Sequence, residues 1–278
     1  MESLSVEPNH ESQVDRVVER LLARLSQGKI ELPILPEAAQ KIVALSQDDS
    51  ASVRDIVEVL KRDQSLTSYV LKVANSPLCT PTSPIVSVHQ ACTRLGARQI
   101  RDLALMVTIS SRTFVVKGHE RLLTDMFKHA VVTAYFAQEI ARQKRLNVEE
   151  AFLSGLLHDV GKPAILAIVA KEPGLGREAL VSAVDRVHVR FGVALIERWG
   201  LPEAVARAAL HHHTADHEDA GVQMIALADL LAHTVLDGLD PEAIRSHWAI
   251  GLLMLYPEDV DALLALSEEA KRVAWGFS

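Results

Sequence analysis

The stretch Leu156-Leu-His-Asp-Val-Gly-Lys162 decides how the chain is read. It closes one apolar helix, predicted near 149–159, and leads into a second, near 163–170. A His-Asp dipeptide at the end of a buried helix brings an imidazole and a carboxylate to one small volume. Both are ligands suited to Fe, Mn, Zn or Mg. Gly161 is expected to let the chain turn sharply just after them.

Working outward, the pattern is helical on both sides. Towards the C-terminus, helices are predicted near 122–143, 177–199, 202–213, 219–237, 241–255 and 257–272. Their punctuation is clear: Gly200 follows Trp199, Pro202 starts a helix, and Asp240-Pro241 pairs an N-cap with proline. Towards the N-terminus, residues 1–12 read as a loose lead-in to a helix over Val14–Ser26. Glu31-Leu-Pro-Ile-Leu-Pro36 is extended, and Pro36 then opens a helix through Ile42, Val43 and Leu45. Ser52-Val-Arg-Asp55 resembles a capping box for a helix that turns Ile56, Val57, Val59 and Leu60 inward. A further helix runs over Ser65–Asn75, and Pro77, Pro81 and Pro84 make a loop. Ser87-Val-His-Gln90 reads as a second capping box, with its helix stopping at Gly96. The run Leu103–Ile109 suits a buried helix or a strand, and its helical surroundings favour helix. No stretch alternates with β periodicity between hairpin turns. The expected fold class is all-α.

With 278 residues the chain can bury a substantial core, as one large domain or two modest ones. Aromatics are scarce at 4% while Ala, Leu and Val are plentiful, which favours close helix packing. The net charge of −7 argues against a nucleic-acid surface, which needs clustered Lys and Arg. No apolar run is expected to cross a bilayer, and the polar N-terminus lacks the apolar core of a signal peptide. Cys79 and Cys92 read as small buried hydrophobes in a reduced chain. A cytoplasmic protein with neither nucleic acid nor membrane as partner is expected.

Histidines carry the chemical signal, since ten of the 12 lie at or beyond His119. Asp125 and His129 are four positions apart and share a helix face. His188, the triplet His211-His212-His213 and Asp229 follow on other predicted helices. Separate helices can therefore bring His129, His158, Asp159, His188, one or two of the triplet, and Asp229 to one pocket, as helical bundles do for metals. Taken singly, a histidine on an apolar helix is more often a hydrogen-bonded core residue. His233 and His247 are assigned to that class, and His89 and His217 to solvent. Trp248 and Trp275 read as packing anchors.

This ordered series resembles the HD superfamily of metal-dependent phosphohydrolases, whose pattern is His, His-Asp, distal His residues, then Asp. The fuller resemblance is to its HDOD branch. It rests on Leu32-Pro-Ile-Leu-Pro36, Val70-Leu-Lys-Val-Ala-Asn-Ser76, Leu95-Gly96-Ala97-Arg98, the stretch Leu156–Gly161, His188-Val-Arg-Phe-Gly192 and Trp199-Gly-Leu-Pro202. The resemblance implies a metal ligand set of His129, His158, Asp159, His188, His212, His213 and Asp229. Asp125 corresponds to an acidic residue that helps hold a second metal, and Lys162 to a cation that faces phosphate. It implies a divalent metal (Fe, Mn, Zn, Ni or Mg), with Asp159 and Lys162 as catalytic residues if the site is active. The Gly-Tyr-Pro motif of cyclic-di-GMP hydrolases is replaced by Thr214-Ala-Asp-His-Glu-Asp219, which argues against that activity.

HDOD proteins are generally regulatory or scaffolding modules. The implied function is therefore a signal-transduction module, non-enzymatic or weakly active, that binds a signalling protein or a small nucleotide-like ligand. The alternative is an HD-type metal-dependent phosphohydrolase or phosphodiesterase. The expected organisation is a lead-in and helix over 1–26, then an HDOD domain over 27–235. Its halves are 27–118 and 119–235, and C-terminal helices follow over 236–278.

Overall fold

The structure, a computed structural model, describes residues 10–76, 79, 83–111, 114–171 and 176–276. Residues 1–9 of the expected lead-in, with Pro77 and Pro81, lie outside them. Among the described residues there are fifteen helices and no strand. The first five are α1 (His10–Ser26), α2 (Glu37–Gln47), α3 (Val53–Arg62), α4 (Gln64–Ala74) and α5 (Val88–Ser111). Then come α6 (Glu120–Lys144), α7 (Val148–Leu157), α8 (Gly161–Val169), α9 (Arg177–Arg198), α10 (Glu203–His211) and α11 (Ala220–Asp237). Four short helices close the chain: α12 (Glu242–Arg245), α13 (Trp248–Leu252), α14 (Pro257–Ala265) and α15 (Ser267–Trp275).

Capping side chains set several of these starts. Ser52 and Asp55 satisfy each other's backbone N–H groups at the start of α3. At α5 only half of the expected box forms. Ser87 Oγ accepts from the Gln90 N–H at 3.1 Å, but the Gln90 side chain reaches back to Val86. Gly96 breaks α5 with φ 76°, and the ambiguous 103–109 run is helical and largely buried beyond it. Asn147 caps α7 and Asp219 caps α11.

Three helix expectations are corrected. The first helix begins at His10, not at Val14. The predicted helix at 241–255 is two short ones, because His247 adopts extended backbone and caps α13 with its own ring. The predicted helix at 257–272 is interrupted at Leu266, where the Ser267 hydroxyl bonds back to Leu264 C=O.

Helix α5 packs on α2, α3 and α4, while α6 packs on α7, α11 and α15. α8 lies on α9, which also carries α1 and α10. A single apolar cluster runs from Val14 to Ala274. Trp199 ties the two ends of this arrangement by donating its indole N–H to Pro33 C=O at 3.0 Å.

Apart from Glu149 and Glu150 in the first turn of α7 and Lys162 in α8, these two helices are apolar and largely buried and form the centre of the molecule. Glycines let them sit there. A Cβ on Gly155 would lie 2.7 Å from Ala134 Cα in α6, and one on Gly161 would lie 2.0 Å from His188 C=O in α9. The expected sharp turn at Gly161 is thus corrected: this residue opens α8 without positive φ, and its small size is needed for backbone contact.

The expectation that no stretch could span a bilayer is also corrected. Val148–Val169 and Ala220–Asp237 are both long and apolar enough. Yet 83% and 56% of their apolar windows are buried inside the fold. The first window is bent between α7 and α8, and the second carries Asp229, so both act as core helices.

Candidate metal centre

The ends and inner faces of five helices converge on Asp159. His129 comes from α6, His158 caps the C-terminus of α7, His188 comes from α9, His212 caps α10 with His213 next to it, and Asp229 comes from α11. His158, Asp159, His188, His212 and Asp229 are buried.

Backbone carbonyls fix how three of these rings point. The Nδ1–H of His158 donates to Gly155 C=O at 2.8 Å, that of His188 to Asp185 C=O at 2.7 Å, and that of His212 to Ala209 C=O at 2.9 Å. Each acceptor lies three residues back on the same helix. With Nδ1 protonated, a neutral ring presents a bare Nε2 lone pair. Those lone pairs face carboxylates. His158 Nε2 lies 3.3 Å from Asp159 and 3.5 Å from Asp229, His188 Nε2 3.2 Å from Asp159, and His212 Nε2 3.6 Å from Asp159. His158 Nε2, His212 Nε2 and Asp159 Oδ1 are buried without any hydrogen-bond partner. A lone pair facing a carboxylate oxygen in a dry interior needs a proton or a cation between them.

Protons cannot fill every gap. Burial pushes His188 and His213 down to about 4, and it lowers His129 as well. His158 goes the other way: burial opposes its charge, but Asp159 and Asp229 outweigh it and raise the ring to about 10. Both carboxyls are held well below the usual range by the imidazoles around them, against the pull of burial. His213 Nε2–H donates to His188 Nε2 at 3.3 Å, since the His188 Nδ1–H is committed to Asp185 C=O. The donor set therefore fits cations. The donors of Asp159, His188, His212 and His213 lie within 4.8 Å of one another, as do those of His129, His158 and Asp159. Asp159 belongs to both groups, so its two oxygens can bridge a pair of ions.

The site opens on a cleft of about 460 Å³, lined in part by His129, Asp159, Lys162, Asp185 and His233. Lys162 Nζ sits 2.5 Å from Asp159 Oδ2. Burial opposes the ammonium, but Asp159 outweighs it and raises its pKa, so Lys162 stays a cation.

Sequence-expected residues do not all arrive. Asp125 lines the cleft wall but is exposed, 3.9 Å from Arg121, and belongs to none of the donor groups. His211 stacks on His217, away from Asp159. His217 is half-buried rather than solvated, accepting from the Asp219 N–H. Trp248 packs on the core as expected, whereas Trp275 is 50% exposed and lines the cleft with Lys128 over its ring. His233, assigned to the core by sequence, lies beside Asp229 in the cleft. Its spacing of four from Asp229 on an apolar helix was the available signal.

The HDOD domain model matches residues 32–215, which is more than half of the chain. The chain belongs to the HDOD family. Among sequence relatives of this HDOD protein, an uncharacterised protein of Treponema pallidum is 24% identical over 236 residues, covering 80% of the chain and 45% of that protein. Ribonuclease Y of Thermus thermophilus is 33% identical over 109 residues, covering 39% of the chain and 16% of the enzyme. The chain thus spans less than half the length of these relatives. Among solved structures, a candidate metal-dependent phosphohydrolase from Shewanella amazonensis superposes with a TM-score of 0.77 at 21% identity, covering 96% of this chain and 100% of that one. An HDOD domain protein of unknown function from Geobacter sulfurreducens gives 0.69 at 23%, covering 97% and 98%. At these identities the two structures establish the shared helical fold.

Proposed function

We propose that this chain is an HDOD signalling module whose His/Asp cluster holds a pair of transition-metal ions and whose cleft takes a small, phosphate-bearing, nucleotide-like ligand. The observation that carries this is the set of buried Nε2 atoms, without geometric hydrogen-bond partners, aimed at Asp159 and Asp229. An imidazole-rich set with bridging carboxylate suits Fe, Mn, Zn or Ni better than Mg, which prefers oxygen ligands and water. When bound, such ions polarise a phosphoryl oxygen and acidify a bound water.

The chain's own groups favour a short anion. Lys162 offers a partly buried cation at the base of the cleft, and its pairing with Asp159 keeps it aimed at the ions. A net charge of −7 disfavours a long polyanion. The proposal places the module in the cytoplasm, where Cys79 and Cys92, pushed up to about 12 and about 11 by burial, remain unreactive thiols. It takes residues 27–235 as the HDOD domain and 236–278 as appended helices.

Phosphodiester hydrolysis is the second function to weigh. It is favoured by Lys162 beside Asp159 and by the ribonuclease named among the partial relatives. Incubating the metal-loaded chain with mononucleotides and cyclic dinucleotides separates the two. A signalling module binds without releasing product. Turnover of about 1 per second or faster would establish the hydrolase instead.

A further inference from the structure

His233 repeats, on the cleft wall, the arrangement that marks the buried histidines. Its Nδ1 lies 2.5 Å from Asp237 Oδ2, four residues on, so the carboxylate accepts the Nδ1 proton and fixes the ring. That leaves the Nε2 lone pair 3.6 Å from Asp229 Oδ1, with the ring 4.6 Å from that of His129. The donor atoms of His129, Asp229 and His233 lie within 4.8 Å of one another. In His158, His188 and His212 a backbone carbonyl holds Nδ1; in His233 a side-chain carboxylate does the same work. A carboxylate behind a histidine is the usual way of orienting a metal-binding ring and raising its basicity.

We propose that His233 is a further metal ligand, oriented by Asp237, which completes the coordination of a divalent transition-metal ion on the cleft side of the cluster. This rests on the proposal that the cluster holds metal. His129 has one Nε2, which donates to Asp229 Oδ1 at 2.8 Å and, on giving up that proton, can serve one ion. The donors it shares with His158 and Asp159 and those it shares with Asp229 and His233 form two overlapping groups, joined at His129 and by the 3.5 Å approach of His158 Nε2 to Asp229 Oδ1. The second ion, among Asp159, His188, His212 and His213, makes no use of His233. From the cleft side, where a ligand would also enter, His233 adds its donor to the ion that His129 serves.

Full-length chain loaded with Zn²⁺ or Co²⁺ and challenged with a chelator tests this directly. Wild type is expected to release two equivalents slowly. His233→Ala, at a half-exposed helix position where Ala is well tolerated, should lose one equivalent about 10–100-fold faster and keep the other unchanged. The visible absorption of bound Co²⁺ should change with it. Asp237→Ala should speed release of the same equivalent by less, and Asp237→Asn, which keeps an acceptor oxygen for Nδ1–H, should behave nearly as wild type. If His233→Ala releases both equivalents at wild-type rates with an unchanged Co²⁺ spectrum, His233 is not a ligand. A wild-type chain that takes up no metal removes the underlying proposal instead, and that result is visible before any variant is made.

Discussion

Gly161 has no room for a side chain, because its Cβ would meet the backbone of His188 and Gly192 rather than a movable side chain. Gly161→Ala therefore has to push α8 away from α9, the helix that carries His188. Overpacking of this kind costs about 1–3 kcal/mol, so denaturant unfolding should show a loss of that size. Histidine titration makes a second residue-scale prediction, for the metal-free protein. His188 has a folded pKa near 4, below its ordinary 6.5, so its contribution is present above pH 6.5 and is lost as pH falls towards 4. His158 has a folded pKa near 10, so its contribution is present below 6.5 and is lost as pH rises towards 10. Metal-free stability should peak near pH 6.5, with each group changing it by at most about 1.4 kcal/mol per pH unit. Bound metal replaces the His158 proton, so the alkaline loss should vanish on loading; thermal melts across pH with and without chelator check both flanks.

At the scale of elements, the site depends on where helices stop and start. Asp219 caps α11 by accepting from the Gly221 and Val222 N–H groups, and it also pairs with Arg207 of α10 at 2.9 Å. Asp219→Ala should cost about 1 kcal/mol and, by loosening the start of the helix that bears Asp229 and His233, speed metal release. Chemical denaturation and chelator kinetics measure the two effects. Capping signals of this kind are local, which is why most helices from α2 to α11 were legible from Pro36, Ser52, Ser87 or Pro202 and from apolar spacing. The breaks at His247 and Leu266 were not, because the apolar pattern runs through them and only tertiary packing interrupts the helix. The site followed the same logic. His129, His158, Asp159, His188 and Asp229 were nameable from their order along the chain, the family resemblance picked His212 and His213 from the triplet, and the structure brings all seven together. Asp125 shares a face with His129 but stands a full turn further out, at an exposed position. His233 was passed over as a lone histidine on an apolar helix, although Asp229 and Asp237 stand four residues to either side of it in the sequence.

For the whole molecule, the apolar pair α7–α8 is the pivot around which the cluster is built. α6, α9, α10 and α11 surround it, and each contributes donors aimed at Asp159 or Asp229. An interior that keeps bare nitrogens opposite carboxylates is stabilised by whatever cation fills it. Metal at a thousandfold excess over its dissociation constant adds about 4 kcal/mol to folding. The most direct test of this account is elemental analysis of untagged full-length protein purified without chelator, beside Asp159→Asn. The account predicts two equivalents of Fe, Mn, Zn or Ni per chain in the wild type, and fewer in the variant, which lacks the bridging carboxylate. A wild-type chain with no bound metal, and none taken up on reconstitution, would contradict it and leave the histidines as a purely structural cluster.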